Sequence, residues 1–195
     1  MTSENPGAAG AGAADACGAA ALAGCERVLV VGNSGSGKST LSRALAERLG
    51  LPAVHLDTHF WLPGWTEPDQ GAWRRRVEEL VAAPRWVMDG NFGGTLPARV
   101  ARAQAVVLLD LPTPLCLARI LKRWRTWRGR SRPDLPEGCP EHIDLRFMAW
   151  VTTFRWRDLP RVHRALAEAP DGQRQLVLRS RAEVARLLAE LEGAR

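Results

Sequence analysis

Eight consecutive residues combine types and spacing that could do chemistry. Gly32-Asn33-Ser34-Gly35-Ser36-Gly37-Lys38-Ser39 fits the pattern G-x-x-x-x-G-K-[S/T]. Glycines let successive backbone N–H groups turn towards one anion, and a helix opening behind them adds its dipole and unpaired amides. An ammonium at Lys38 suits the β- and γ-phosphates of a nucleotide, and a hydroxyl at Ser39 is a magnesium ligand. The expected phosphate-binding set is Gly32, Asn33, Ser34, Gly35, Ser36, Gly37, Lys38, Ser39 and Thr40, with Lys38 also acting in catalysis. A glycine-rich structural turn is the alternative reading of the same residues.

Such a loop needs a strand before it and a helix behind it. Residues 26–31 form an apolar run, and residues 39–49 recur at helical spacing until Gly50 stops them. A second strand over 53–56 ends at Asp57, followed by a Pro/Gly/Trp-rich loop to Pro68 and a helix from an Asp69 cap to about Ala83. Third and fourth strands over 85–88 and 105–109 end at Asp89 and Asp110. A basic amphipathic helix is expected from Pro114 to about Arg130, then a broken stretch over 131–140 and a helix over 141–157. A fifth strand over 176–178 and a helix over 181–191, with Val184, Leu187, Leu188 and Leu191 on one face, close the chain. Ligands of an open parallel sheet gather at the carboxyl ends of its strands, so Asp57, Asp89 and Asp110 are expected to face the loop's crevice, although an aspartate placed like Asp110 beside Pro112 is more often structural.

A chain of 195 residues accommodates one α/β domain with a mobile insert, not two domains. Only Lys38 and Lys122 are lysine, so the net charge of +6 is carried almost wholly by arginine, which favours anionic partners. The four cysteines have no C-x-x-C spacing, which argues against a zinc site or a disulfide framework. Residues 1–25, rich in alanine and glycine, read as a disordered tail ahead of a domain over 26–195. Leu22-Ala23-Gly24-Cys25 also fits a lipobox, but the basic start and apolar stretch of a signal peptide are missing. No run of eighteen apolar residues occurs, and the expected location is cytoplasmic.

Further segments follow the loop in order: His55-Leu56-Asp57, Trp61-Leu62-Pro63-Gly64-Trp65, Trp86-Val87-Met88-Asp89-Gly90-Asn91-Phe92, Leu109-Asp110-Leu111-Pro112, Arg132-Pro133-Asp134 and Glu137-Gly138-Cys139-Pro140-Glu141. Together they resemble the adenylate-kinase-related proteins called DNA topology modulation proteins of the FlaR type, over about residues 27–191. The resemblance implies a P-loop NTPase three-layer sandwich, with a five-stranded parallel sheet of order 2-3-1-4-5 and a short lid at about 119–145. It further implies an ATP-dependent small-molecule kinase that moves the γ-phosphoryl group with Mg2+ to a nucleotide or another small metabolite. A nucleotide-dependent DNA-associated regulator is the alternative. A GTPase ranks lower, because no N-K-x-D guanine motif occurs.

Asp89 resembles the strand-three aspartate of nucleotide kinases that holds magnesium through water, so Ser39 and Asp89 are the expected metal pair, with capping of the Gly90 turn as the alternative for Asp89. Asp57 is expected to orient the acceptor or take its proton, with turn capping as the alternative. His55, Asp57 and His59 alternate, and on an extended segment would face one side as metal ligands. Arg119, Arg123, Arg125, Arg128, Arg130 and Arg132 crowd the lid region, and Arg119 and Arg123 share a helix face, which makes them the expected catalytic pair. Trp124 and Trp127 between them leave nucleic-acid stacking open, and a solvated basic face is the third reading. Arg146, Arg155 and Arg157 are candidates to join the lid. Arg99 is either an acceptor-phosphate ligand or an exposed helix residue. Trp61 and Trp65 either line the acceptor pocket or pack in the core.

Overall fold

The computed structural model describes residues 18–131 and 135–193. The expected tail over 1–17, and Arg132 of the lid, lie outside the described residues. Strands β1 (Arg27–Gly32), β2 (Ala53–His55), β3 (Trp86–Asp89), β4 (Ala105–Leu109) and β5 (Arg174–Leu178) form one parallel sheet in the order β2-β3-β1-β4-β5. That is the order implied at the outset.

The sheet carries a core on each face, which explains why its central strands read as unbroken apolar runs. Leu29 and Val31 of β1 pack on one face with Trp86, Met88, Val106 and Leu108, while Val28 and Val30 pack on the other with Val87, Val107 and Leu109. The first face is covered by α4 (Gln70–Ala82), α5 (Leu96–Arg102) and α8 (Leu159–Ala167) through residues such as Val77, Val100 and Val162. The second is covered by α1 (Gly18–Leu22), α2 (Lys38–Leu49) and α9 (Arg181–Gly193) through Leu22, Leu45 and Leu187. The remaining helices, α3 (Leu56–Phe60), α6 (Thr113–Trp127) and α7 (Leu145–Arg157), stand around the carboxyl ends of the strands.

Several boundaries differ from expectation for local reasons. The tail expected to be disordered through residue 25 is helical over Gly18–Leu22, with Leu22 wholly buried and Cys25 buried beside it. Burying one leucine side chain is worth roughly 1.5–3 kcal/mol, and the Arg174 guanidinium donates to the carbonyls of Ala21 and Ala23 at the helix end. The second strand stops at His55, and Asp57 sits in the first turn of α3 instead of at a strand end. Asp69 caps α4 as read, accepting from the Ala72 amide at 2.9 Å. The helix expected from residue 141 starts at Leu145, where the Asp144 carboxylate accepts from the Arg146 amide at 2.9 Å. Helix α8 falls where no element was expected, and α5 was foreseen only in the reading of Arg99 as a helix residue. Each has proline at N1 or N2, a start signal that competes with the breaker reading of proline.

A capping box opens α9. Ser180 Oγ accepts from the Glu183 amide at 3.1 Å, and the Glu183 carboxylate accepts from Ser180 Oγ and from the Arg179 amide. These bonds pull the Glu183 carboxyl below its ordinary 4.5, the Arg179 amide contributing most. The folded state therefore binds fewer protons here than the unfolded state, and the stabilisation is complete above pH 4.5 and lost as pH falls through the lowered folded value. Melting curves of wild type and Glu183→Gln should differ by a constant amount at neutral pH and converge in acid. A gap that widens on acidification would contradict this assignment.

Candidate active site

The glycine loop joins β1 to α2, and backbone geometry explains its glycines. Gly35 (φ 75°) lies under α6, where an added Cβ would stand 2.3 Å from the Cys116 carbonyl oxygen. Gly32 (φ 147°) lies against β4, where an added Cβ would stand 2.5 Å from the Leu109 carbonyl oxygen. Helix α2 opens at Lys38 with no side chain capping its first amides, so those N–H groups face the cleft mouth. The loop is braced from behind: the buried Asn33 amide donates to the Val151 carbonyl of α7 at 2.9 Å, and the Gly32 amide donates to Asn91 Oδ1 at 3.3 Å.

Lys38 folds back so that its ammonium donates to the Asn33 carbonyl at 3.0 Å. Burial lowers its pKa, and the negative charges of Asp57 and Asp89 oppose that shift. Ser39 Oγ lies 3.4 Å from Asp89 Oδ1, and His55 Nδ1 lies 2.5 Å from Asp89 Oδ2. The parallel register of β2 and β3 places His55 beside Asp89, so the sheet itself brings these groups together. Asp89 is only 2% exposed.

Three expectations are corrected here. His55, Asp57 and His59 do not converge as metal ligands: residues 56–60 are helical, so alternate positions point to different sides. His55 turns onto Asp89, while His59 Nδ1 lies 3.4 Å from Arg76, and burial with the Arg76 charge lowers its pKa. Asp110 does not join the loop's crevice. It does not line the cleft that the loop opens onto, and faces Arg155 at 3.7 Å and Arg179 at 4.0 Å. Arg99 neither reaches into the cleft nor lies exposed. It is wholly buried, and its guanidinium donates to the carbonyls of Gly90, Asn91 and Phe92. Burial brings its pKa down to about 9, with Asp89 pulling the other way, so it remains charged at neutral pH.

The loop opens onto a cleft of about 1290 Å³ that Asp57, Trp61, Trp65, Arg119, Arg123 and Arg146 also line. Arg119 reaches back from α6 and donates to the Ser36 carbonyl at 2.7 Å. Arg123, one turn further on, meets Glu141 at 2.7 Å, an acidic partner that spacing along the chain gave no means of finding. Arg128 lies over the Trp124 ring, 5.2 Å from its centroid. The loop after α3 is joined to the segment before α7: the Gly64 amide donates to the Gly138 carbonyl at 2.8 Å, and the Trp65 indole N–H to the Pro140 carbonyl at 3.0 Å.

The sequence model of the family described as AAA domain matches residues 28–132, more than half of the chain. The chain belongs to this AAA domain family. The match spans β1 to β4, the glycine loop and all of α6. The chain is also similar to "Uncharacterized protein YqaC" of Bacillus subtilis (strain 168), with 28% identity over 133 residues, 66% of this chain and 72% of that protein. Among solved structures it is similar to shikimate kinase from Acinetobacter baumannii in complex with shikimate. That likeness has a TM-score of 0.54 and 19% identity, and covers 90% of this chain and 96% of the other. Shikimate kinase from Bacteroides thetaiotaomicron gives a TM-score of 0.50 and 16% identity, over 87% of this chain and 98% of the other. These likenesses show that the AAA domain has the fold of the P-loop kinases. No described helix is long and apolar enough to cross a membrane.

Proposed function

We propose that the chain is an ATP-dependent small-molecule kinase that transfers the γ-phosphoryl group of ATP to a hydroxyl-bearing acceptor in the cleft. The observation that carries this reading is the meeting of Ser39 Oγ and the Asp89 carboxylate, 3.4 Å apart, where α2 opens its free amides beside Lys38. A phosphate group suits those amides, and Lys38 exchanges its bond to the Asn33 carbonyl for one to phosphate oxygens. Ser39 and Asp89 offer hard oxygen donors, the donor chemistry that magnesium takes, so they are the residues that would hold it. When bound there, the ion would neutralise charge on the β- and γ-phosphates.

The chain's own groups account for the rest. Lys38, Arg119 and Arg123 put positive charge around the transferring group, in a cleft that Trp61 and Trp65 also line, where such charge acts more strongly than in bulk water. Asp57 lines the same cleft and is the candidate to orient the acceptor hydroxyl and take its proton.

The test is a panel of nucleoside monophosphates, nucleosides and small hydroxylated metabolites incubated with purified protein, ATP and magnesium. ADP release should rise well above the acceptor-free rate for at least one class. Calorimetry showing no binding of ATP or GTP to the folded protein with magnesium would overturn the assignment.

A further inference from the structure

Among the described residues, Trp65 at φ 59° and Phe92 at φ 26° are the two non-glycine residues with positive φ. Backbone strain of this kind costs on the order of 1–3 kcal/mol and collects at sites that hold ligands. Both rings line the cleft, and each strained residue is held by a hydrogen bond: the Trp65 indole by the distant Pro140 carbonyl, and the Phe92 carbonyl by the Arg99 guanidinium of the following helix at 3.0 Å. Between them the rings are continuous. Trp65 lies 5.2 Å from Trp61, Trp61 lies 4.8 Å from Phe60, and Phe60 lies 4.6 Å from Phe92. All four rings line the cleft that holds Lys38 and Asp57, and Trp73 backs Phe60 and Phe92 from the core.

Charges of both signs line this cleft, but its guanidinium groups beyond the phosphate end, Arg146, Arg161, Arg164 and Arg181, come from α7, α8 and α9, and the charges nearest in sequence to the aromatic segment are acidic. Asp57 and Glu67 line it and repel a second anion. Arg99, the cation at the root of the Phe92 loop, is consumed by three main-chain carbonyls. Arg119 and Arg123 are held at the phosphate end by the Ser36 carbonyl and Glu141. Arg146, exposed at the first turn of α7, lines the cleft from the opposite side.

Building on the phosphotransfer reading, we propose that the acceptor is an unphosphorylated heteroaromatic alcohol of about nucleoside size, its planar ring laid against Trp65, Trp61, Phe60 and Phe92. Its hydroxyl oxygen forms the new bond to the γ-phosphorus of ATP as the bond from that phosphorus to the β–γ bridging oxygen breaks. The hydroxyl proton passes to the Asp57 carboxylate, and ADP leaves. A monophosphate fits poorly, because beside these rings its charge meets the carboxylates of Asp57 and Glu67.

Matched pairs test this in the full-length protein: adenosine against AMP and cytidine against CMP. Binding is read by tryptophan fluorescence and turnover by ADP release with ATP and magnesium, and ATP affinity is measured separately by calorimetry. The nucleoside of at least one pair should bind ten-fold or more tightly than its monophosphate and be phosphorylated. Phe92→Leu and Trp61→Leu should each weaken nucleoside binding by roughly five- to ten-fold, the scale of one lost ring stack. The wild-type comparison does not depend on either variant folding. A monophosphate bound as tightly as its nucleoside, or ATP binding with neither nucleoside bound, overturns the acceptor class and leaves the kinase reading standing. Failure of ATP itself to bind overturns both.

Discussion

Lys38→Ala should lower the rate of ATP-dependent phosphoryl transfer by roughly 10²–10³-fold, the usual loss when one preorganised donor to developing charge is removed. The expectation follows from where the ammonium sits. It lies at the first turn of α2, 3.0 Å from the Asn33 carbonyl, with Asp57 and Asp89 close enough to influence its charge. Desolvation disfavours the charged form in the free protein and Asp57 and Asp89 oppose it, so an incoming polyphosphate gains by adding further negative charge beside the ammonium. Stability should change little, because the variant removes a partly desolvated cation and one hydrogen bond. Single-turnover kinetics with saturating ATP and magnesium measure the effect. A variant that retains full activity would reject the assigned role of the loop.

Arg99→Met should cost about 2–4 kcal/mol of folding stability, a drop of roughly 5–15 °C in Tm for a chain of this size. Three main-chain carbonyls, those of Gly90, Asn91 and Phe92, take their hydrogen bonds from this one buried guanidinium. Removing the donor leaves buried acceptors without it, and the relief from no longer desolvating a cation offsets only part of that loss. The damage should concentrate in the loop after β3. That loop holds Phe92 at positive φ, and its Asn91 side chain accepts from the Gly32 amide. Nucleotide binding should therefore weaken as well. A melting temperature within 2 °C of wild type would show that the loop is held by other means.

The aromatic segment 60–65 illustrates how far local reasoning reaches. Its tryptophans, proline and glycine mark a loop, and the structure has one there. Spacing leaves open whether Trp61 and Trp65 face a ligand or the core. The two roles are in fact joined: Trp61 packs against the core cluster and also lines the cleft. Asp57 shows the opposite case. A hydrophobic run followed by an acid reads as a strand end, but the run is too short to distinguish the last strand residue from the first helical one, and the chain turns helical at Leu56. The arginines from Arg119 to Arg130 were recognisable as a cluster. Their partners were not, because Glu141 lies beyond a break in regular structure that carries no periodicity.

By itself the sequence determined the strand-loop-helix at the N-terminal end of the domain, the apolar strands and the Asp69 cap. Each depends on the φ preferences, hydrogen-bonding capacity and apolar spacing of about ten neighbouring residues. Tertiary structure alone decided the contacts that make these parts a site: Ser39 with Asp89 across 50 positions, Asn33 with Val151 across 118, and His55 beside Asp89 through the parallel register. It also turned Arg99 inward and Asp110 away. The reason is physical: a buried polar group takes whichever partner the packed sheet and helices bring within hydrogen-bonding distance, and that choice is made by packing among distant segments.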